Sequence, residues 1–332
     1  MPRDNTTSNS GLPKVLVTRP IPQEAIDKLS MHCEVHVHPL DEAMPAELLA
    51  EAVRDVDGLM PSGVLVSKDI IAAARKLRAI STIAVGYDNI DIAACNQRRI
   101  LVTNTPDVLT EATADLTFAL LLAAARRLAE ADRYVRAERW SRWQWGSLWG
   151  VDLHGKTLGL YGFGRIGQAT ARRGRGFGLR ILYSARHRAS EKIEQELAAE
   201  FVDRKTLLRQ SDFLSLHVPL TPETRHSIAA PQFALMKPSA FLINAARGPI
   251  VDEEALVQAL EAGRLAGAGL DVFENEPQVH PALMAMDNVT LLPHIGSATA
   301  ETRLRMAVLA AGNLLAALRG DRPPNLVNPE VL

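Results

Sequence analysis

Short apolar runs alternate with amphipathic segments from Lys14 onward. The first of these runs predict strands at Lys14–Thr18, Val35–His38, Gly58–Met60, Ile80–Ile83 and Leu101–Asn104. Between them, apolar residues at helical spacing predict helices at Pro22–Ser30, Pro45–Arg54 and Ser67–Leu77. Strands that alternate with helices indicate a parallel, doubly wound sheet.

A second series of the same kind starts at Thr157–Tyr161. It predicts further strands at Arg180–Tyr183, Glu200–Val202, Phe213–Leu216, Phe241–Asn244, Gly267–Val272 and Val289–Leu292. An amphipathic helix at about Ala300–Leu318 follows, and we expect it to return to the first domain. The pattern thus predicts an α/β protein with two doubly wound parallel-sheet domains. A Rossmann cofactor domain, residues 107–299, is inserted in a discontinuous flavodoxin-like substrate-binding domain, residues 13–106 and 300–332.

Residues 110–150 carry more apolar surface than one such domain needs. A long helix is predicted from Thr110 to about Glu138, with an apolar stripe through Leu116 and Leu120. A segment with four tryptophans, Trp140–Trp149, comes next. We therefore predict that residues 110–150 form the interface of a homodimer.

Composition narrows the classes of partner. The 332 residues are 47% hydrophobic, and 37 basic and 38 acidic residues leave a net charge of −1, so nothing indicates a nucleic-acid or membrane partner. The longest apolar stretch, Leu116–Ala125, is shorter than the roughly 20 residues of a membrane span. The polar N-terminus, residues 1–13, has no apolar signal core and is interpreted as a flexible tail. Cys33 and Cys95 fit reduced thiols of a cytoplasmic protein better than a disulfide or a metal site.

A glycine fingerprint, Gly162-Phe-Gly164-Arg165-Ile166-Gly167, follows the strand Thr157–Tyr161 and precedes a predicted helix at Gln168–Arg173. In such a motif the first glycine permits the tight turn and the second lets the backbone approach a pyrophosphate. The third lets helix and strand pack closely. The context of strand, glycines and helix predicts a dinucleotide cofactor lying on the helix N-terminus.

The next strand bears on which dinucleotide binds. Enzymes that use NAD usually carry an acidic residue about 20 residues beyond the fingerprint, for the ribose 2′-hydroxyl. Here the strand end reads Ser184-Ala-Arg186-His-Arg188, without a carboxylate. Ser184 can donate a hydrogen bond, and the two arginines can neutralise a 2′-phosphate. We predict a preference for NADPH, with NADH possible; the alternative is that the arginines form a solvated surface loop.

Three ionisable residues each follow one of three consecutive predicted strands. They are Arg247, Glu276 and His294. Ligands of open parallel sheets bind beyond the carboxyl ends of the strands, so these side chains are expected to converge beside the cofactor. A guanidinium can hold a substrate carboxylate in a fork, and a carboxylate beside an imidazole favours its protonated form. The set is suited to hydride transfer coupled to proton transfer on an anionic substrate.

The chain resembles the D-isomer-specific 2-hydroxyacid dehydrogenase family over about residues 14–330. The resemblance rests on the fingerprint and on the segments Ala84–Asp91, Gly155–Gly159, His217–Thr224, Asn244–Asp252, Gly269–Pro277 and Pro293–Thr299. Within the family it looks most like glyoxylate/hydroxypyruvate reductases and 2-ketogluconate reductases.

The resemblance implies roles for individual residues. Arg247 would bind the 2-oxoacid carboxylate and polarise the carbonyl, His294 would protonate the carbonyl oxygen, and Glu276 would partner His294. Backbone amides of Val85 and Gly86 would add donors to the carboxylate. Trp143 would reach into the partner subunit's substrate site, or else act only as an anchor of the dimer interface. Residues that would line the cofactor, besides the fingerprint and the Ser184–Arg188 segment, are Thr113, His217, Val218, Pro219, Thr224, Ala245, Ala246, Asp271, His294 and Gly296, of which Asp271 would hold the nicotinamide carboxamide.

The predicted function is NADPH-dependent reduction of a small 2-oxoacid to the D-2-hydroxyacid, with glyoxylate or hydroxypyruvate as substrate and 2-ketogluconate as the alternative. The segment Pro61–Leu65, expected to form a wall of the substrate pocket, has no obvious extra cation for a second carboxylate or a phosphate. This favours a substrate with a small or neutral tail. Two other classes stay open: a dinucleotide-sensing binding protein like the co-repressors of this fold, and other chemistry such as that of alanine dehydrogenase or adenosylhomocysteine hydrolase.

Overall fold

The computed structural model describes residues 11–332, so most of the N-terminal segment interpreted as a flexible tail lies outside the described residues. The chain divides into two compact units. One comprises the residues up to Leu109 together with Thr299–Leu332, and the other is Thr110–Ala298. Both units are parallel-sheet α/β structures, as the alternation of strands and helices predicts.

The first unit is built on a five-stranded parallel sheet. Its strands are β1 (Lys14–Val17), β2 (Glu34–Val37), β3 (Gly58–Met60), β4 (Ala79–Ser81) and β5 (Leu101–Thr103), in the order β2-β1-β3-β4-β5. Its helices are α1 (Gln23–Ser30), α2 (Ala46–Ala52), α3 (Lys68–Ala73) and α4 (Ile92–Gln97), with a 3₁₀ turn at Val53–Asp55. This strand order is the flavodoxin-like one.

The second unit carries a seven-stranded parallel sheet. Its helices are α5 (Thr110–Ala125), α6 (Leu128–Arg136), α7 (Arg165–Gly176), α8 (Glu191–Leu197), α9 (Arg204–Gln210), α10 (Ala230–Phe233), α11 (Glu253–Glu261) and α12 (Pro281–Ala285). Its strands are β6 (Thr157–Tyr161), β7 (Arg180–Ser184), β8 (Ala199–Phe201), β9 (Phe213–Leu216), β10 (Phe241–Asn244), β11 (Gly267–Leu270) and β12 (Val289–Leu291). The order β12-β11-β10-β9-β6-β7-β8 is that of a Rossmann sheet with one added strand, and the strand order reverses between β6 and β9.

The last helix, α13 (Ala300–Arg319), returns to the first unit, where it packs on α1, β3 and β4. Thr299 caps it by accepting a hydrogen bond from the Thr302 amide, and Gly320 ends it in a left-handed conformation. A 3₁₀ turn at Pro329–Val331 completes the chain.

The single helix predicted from Thr110 to Glu138 is wrong: the chain forms two helices, α5 and α6. The break lies at Arg127, which is left-handed (φ 54°) and binds Glu130 through two hydrogen bonds of 2.7 and 2.8 Å. The carbonyl of Ala125, which a continuous helix would use internally, accepts instead from the Val151 amide at 2.9 Å. The chain that returns from the tryptophan segment therefore ends α5.

Within residues 11–332, no helix is both long and apolar enough to cross a membrane, and no group of three or more metal-binding side chains is present. Cys33 and Cys95 are buried free thiols, and burial raises the pKa of Cys95 to about 12.

Candidate active site

Three loops leave the same edge of the second sheet. Strands β10, β11 and β12 are neighbours and parallel, so their carboxyl ends lie side by side. Arg247 follows β10, Glu276 follows β11 and His294 follows β12. The structure thus brings the three predicted residues to one edge of the sheet within a single unit.

His294 and Glu276 form a hydrogen-bonded pair. Nδ1 of His294 lies 2.7 Å from Oε2 of Glu276, and Oε1 accepts the Phe273 amide at 3.0 Å. Burial alone would raise the pKa of Glu276, but the hydrogen bond and charge of His294 outweigh it and hold the pKa below its ordinary value. His294 is left-handed (φ 53°), and its amide donates to the Asp271 carbonyl at 2.8 Å. The imidazole is therefore oriented by Nδ1, and Nε2 is the nitrogen left for a substrate.

Asn244 organises the loop that carries Arg247. Its amide side chain donates to the Arg247 carbonyl at 2.9 Å and accepts from the Ala246 amide at 3.0 Å. Nη1 of Arg247 donates to the Ala246 carbonyl at 2.8 Å, and the guanidinium charge contributes to lowering the pKa of Glu276. Sequence reasoning assigned no role to Asn244; a buried polar residue that ends an apolar strand is the signal that points to it.

The loops after β10 and β11 are held against each other. Gly248 packs so closely on the Phe273 carbonyl that a side chain there would collide with it. The Glu274 amide donates to Oε1 of Glu253 at 2.7 Å, and Oε1 of Glu274 lies 2.5 Å from Nε2 of His226. Burial raises the pKa of Glu253. These contacts fix the separation of the loops that present Arg247 and Glu276.

The fingerprint turn has the geometry of a phosphate cradle. Gly162 has φ +97°, and a Cβ there would lie 2.6 Å from the His217 carbonyl group. A Cβ on Gly167, in α7, would lie 2.6 Å from the Gly162 carbonyl oxygen. A Cβ on Gly164 would meet nothing within 4 Å. Two glycines therefore serve the packing of the protein, whereas Gly164 borders open space before Arg165 and Ile166 start α7.

Asp271 suits a nicotinamide amide group. It is buried, and Oδ1 accepts the Ile295 amide at 2.7 Å, while Oδ2 is buried and has no hydrogen-bond partner within residues 11–332. Burial raises the pKa of this carboxyl. A Cβ on Gly296 would lie 3.2 Å from Oδ2 and 3.5 Å from Cγ2 of Thr113, so the three predicted cofactor residues Asp271, Thr113 and Gly296 converge. The Gly296 amide also lowers the pKa of this carboxyl, yet Oδ2 has no hydrogen bond of good geometry within residues 11–332 and fits an N–H group supplied by a ligand.

The loop after β9 abuts the fingerprint. His217 bonds Oγ of Ser215 through Nε2 at 2.9 Å, and burial lowers the pKa of His217 to about 4, so the imidazole is neutral at physiological pH. Val218 and Pro219 continue this loop, and Thr224 donates to the Pro219 carbonyl at 2.6 Å. Thr224 thus shapes the loop, and Ala245 and Ala246 lie in the neighbouring loop after β10.

The segment after β7 departs from the prediction at one arginine. Ser184 is buried, and its carbonyl accepts the Gly162 amide at 2.9 Å, which ties β7 to the fingerprint turn. Arg186 is exposed. Arg188, predicted to bind a 2′-phosphate, instead forms a fork with Glu194, at 2.9 Å from Nε and 2.8 Å from Nη2. The Glu194 carboxylate belongs to α8 and lies outside the segment Ser184–Arg188, so that segment alone does not reveal the ion pair.

Val85 and Gly86 lie in the first unit, in the turn after β4, where the Val85 carbonyl accepts from Asn104 at 2.8 Å. The wall Pro61–Leu65 does have a cation, contrary to expectation: a Cβ on Gly63 would lie 2.6 Å from Nη2 of Arg19. Arg19 lies two residues after the end of β1, and its Nη1 is 3.5 Å from Oδ1 of Asp41. Sequence reasoning missed it because it is 44 residues from Gly63 along the chain, a contact made by the fold.

Trp143 is 72% exposed and contacts Trp145 edge to face, with the ring centroids 5.9 Å apart. The other tryptophans of the segment are also exposed.

Comparisons with known proteins show the family to which the chain belongs. The family described as D-isomer specific 2-hydroxyacid dehydrogenase, NAD binding domain, matches residues 118–296. A glyoxylate reductase of Thermococcus litoralis is 52% identical over 325 residues, which cover 96% of this chain and 98% of that protein.

Two solved structures are similar along almost the whole chain. The NADPH-dependent glyoxylate/hydroxypyruvate reductase of Sinorhizobium meliloti, in complex with NADP and malonate, is 37% identical with a TM-score of 0.84 and covers 95% of this chain and 96% of its own. A glyoxylate reductase from Paecilomyes thermophila is 34% identical with a TM-score of 0.85 and covers 96% and 99%. The family expected from the motifs is confirmed: the chain belongs to the D-isomer-specific 2-hydroxyacid dehydrogenases, which are oxidoreductases.

Proposed function

We propose that this enzyme reduces glyoxylate or hydroxypyruvate to the corresponding 2-hydroxyacid with NADPH. The observation that carries the proposal is the 2.7 Å bond between His294 and Glu276 at the strand edge that also presents Arg247. The names of the similar proteins, glyoxylate reductase and glyoxylate/hydroxypyruvate reductase, support the choice of substrate.

In this proposal Arg247, His294 and Glu276 have distinct roles. The Arg247 guanidinium binds the substrate carboxylate in a fork and draws electron density from the adjacent carbonyl. Nε2 of His294 donates a proton to the carbonyl oxygen, and Glu276 holds the ring through Nδ1 and stabilises its protonated form. We also propose that the backbone amides of Val85 and Gly86 donate hydrogen bonds to the substrate carboxylate.

In the proposal, the second unit also binds the cofactor. The pyrophosphate fits the open space at Gly164 and the start of α7, and the carboxamide fits the unpartnered Oδ2 of Asp271. When bound, the reduced nicotinamide supplies the hydride. The preference for NADPH is supported by Ser184 and Arg186 after β7, where no carboxylate stands, and by the NADP bound to the Sinorhizobium meliloti neighbour.

We further propose a homodimer, in which Trp143 reaches the partner's substrate site or anchors the interface, and a cytoplasmic location. The exposed tryptophans at residues 140–149 support the homodimer, and the two free thiols support the cytoplasmic location.

Initial rates with a panel of 2-oxoacids, each with NADPH and with NADH, test the proposal. Glyoxylate and hydroxypyruvate should show the highest kcat/KM, and NADPH should exceed NADH by about tenfold or more, the equivalent of one charge-assisted bond. 2-Ketogluconate and a phosphorylated 2-oxoacid complete the panel, the latter because Arg19 lies at the wall Pro61–Leu65. No turnover with any 2-oxoacid would favour a dinucleotide-sensing protein instead.

A further inference from the structure

Arg204 lies close to the ends of the three strands that surround the fingerprint. It is the first residue of α9, and its guanidinium carbon lies 4.9 Å from the centre of the Tyr161 ring. Tyr161 ends β6 directly before Gly162 and is paired in register with Ser184 of β7 and Leu216 of β9. The Arg204 charge is therefore near the crevice where a Rossmann fold places the adenosine of its cofactor.

The guanidinium of Arg204 has unused donors. Nε and Nη2 are both buried, and neither has a hydrogen-bond partner among the described residues. The adjacent Asp203 forms no ion pair with it among the described residues; its carboxylate caps α9 by accepting from the amide and the hydroxyl of Thr206. The Tyr161 ring face offers only a cation–π contact. A partly buried cation with two buried N–H groups that have no protein partner fits an anionic ligand.

The arginine that the sequence favoured for this task is already bound. Arg188 is forked onto Glu194, and Glu194 also accepts the Tyr183 hydroxyl. That hydroxyl in turn accepts the Ala189 amide at 2.9 Å, so the whole end of the β7 loop is tied to α8. The network ties Arg188 to α8, and its guanidinium carbon lies 6.0 Å from the centre of the Phe201 ring at the end of β8.

Arg186, in contrast to Arg188, is not bound to a carboxylate of the described residues. No ion pair within residues 11–332 includes it. The pKa of Glu223, in the loop after β9, is lowered first by a hydrogen bond from Thr221 and also by the charge of Arg186. The Arg186 charge therefore acts on the loop after β9.

We propose that Arg204 is the second cation of the adenosine 2′-phosphate site and acts with Arg186 in place of Arg188. The inference rests on the proposed preference for NADPH. A phosphate between the two guanidinium groups would accept charge-assisted hydrogen bonds from the Arg204 nitrogens that have no protein partner.

Binding of two adenosine fragments to the full-length protein tests the proposal without turnover. Calorimetry gives the Kd of adenosine 2′,5′-bisphosphate and of 5′-AMP, which differ only in the 2′-phosphate. Arg204→Ala should weaken binding of the bisphosphate by about tenfold or more, the loss of one charge-assisted hydrogen bond, and should change 5′-AMP binding by less than about twofold. Lys205→Ala is the matched control, because it removes the same charge from the next residue of α9, and both Kd values should stay at the wild-type level.

Each other outcome is decisive. Unchanged bisphosphate binding in Arg204→Ala, or equal weakening of both ligands, would overturn the proposal. So would a loss in Arg188→Ala as large as that expected for Arg204→Ala. If Arg204→Ala does not fold, Arg204→Gln, which keeps the length of the side chain but not its charge, should show the same selective loss. A wild type that binds 5′-AMP as tightly as the bisphosphate would instead refute the NADPH preference itself.

Discussion

His217 shows how one buried side chain couples the cofactor loop to pH. The pKa of His217 is lowered from 6.5 to about 4 by burial, so between these values the unfolded chain binds a proton that the folded chain does not. Stability therefore rises with pH across this window and is lost as pH falls through it. Over the whole window of about 2.5 pH units, at about 1.4 kcal/mol each, the loss is about 3 kcal/mol.

Replacing His217 with Asn should remove this sensitivity while keeping a partner for Ser215. From pH 7 to pH 5, the free energy of unfolding in urea should fall by about 2 kcal/mol more in the wild type than in His217→Asn. Parallel falls in the two proteins would mean that the imidazole is not buried as a neutral group.

At the residue scale, the sequence predicted which side chains meet but not every bond they make. Arg247, Glu276 and His294 could be predicted because the ends of parallel strands share one edge, a rule of topology. The contacts of Arg188 and Arg204 could not be predicted, because their partners, Glu194 and Tyr161, are set by side-chain conformation and by the packing of α8 and α9.

Among the elements, buried parallel strands were the most predictable. The predicted strands Gly58–Met60, Thr157–Tyr161, Phe213–Leu216 and Phe241–Asn244 coincide with β3, β6, β9 and β10, since continuous apolar runs mark strands buried on both faces. Helix α4 was not predicted, although Asp91 caps it by accepting a hydrogen bond from the Ala94 amide. The break between α5 and α6 depends on Val151, far along the chain, and no local pattern indicates it.

Two glycines of the fingerprint turn should affect different properties when replaced: Gly162 the stability of the fold and Gly164 the binding of the cofactor. Gly162→Ala should lower the free energy of unfolding by about 2 kcal/mol or more, because the residue is left-handed and its Cβ would collide with His217. Gly164→Ala should change it by no more than about 0.5 kcal/mol and yet weaken NADPH binding about tenfold or more, because its methyl would fill the space of the pyrophosphate. Urea unfolding and a fluorescence titration measure the two quantities. Wild-type affinity in Gly164→Ala would place the cofactor elsewhere.

At the scale of the whole molecule, the exposed apolar surface of residues 126–150 is the feature that the single chain leaves unexplained. Leu128 and Val135 on α6 are 52% and 54% exposed, and Trp145 is 77% exposed. We expect light scattering at micromolar concentration to give twice the chain mass. The double variant Leu128→Glu, Val135→Glu should be a folded monomer. Met31→Glu, which charges an apolar residue on the first unit that is even more exposed (69%), should stay dimeric. A monomeric wild type would contradict the proposed interface.

The division of the chain followed from its order of elements, since two βα series separated by a helical segment predict two sheets. The helix α13 was expected to return to the first domain, and it packs there on α1 and β4. The order of elements does not predict that Arg19 lies beside the segment Pro61–Leu65, because Arg19 contacts Gly63 only in the folded unit.

Proton donation by His294 is tested most directly by comparing turnover with cofactor binding in His294→Gln. With glyoxylate and NADPH, kcat should fall about 10²–10⁴-fold, because the general acid is lost. The Kd of NADPH, measured by fluorescence without substrate, should stay within about twofold of the wild type, since Asp271 and the fingerprint turn are unchanged. Near wild-type kcat in His294→Gln would contradict the account.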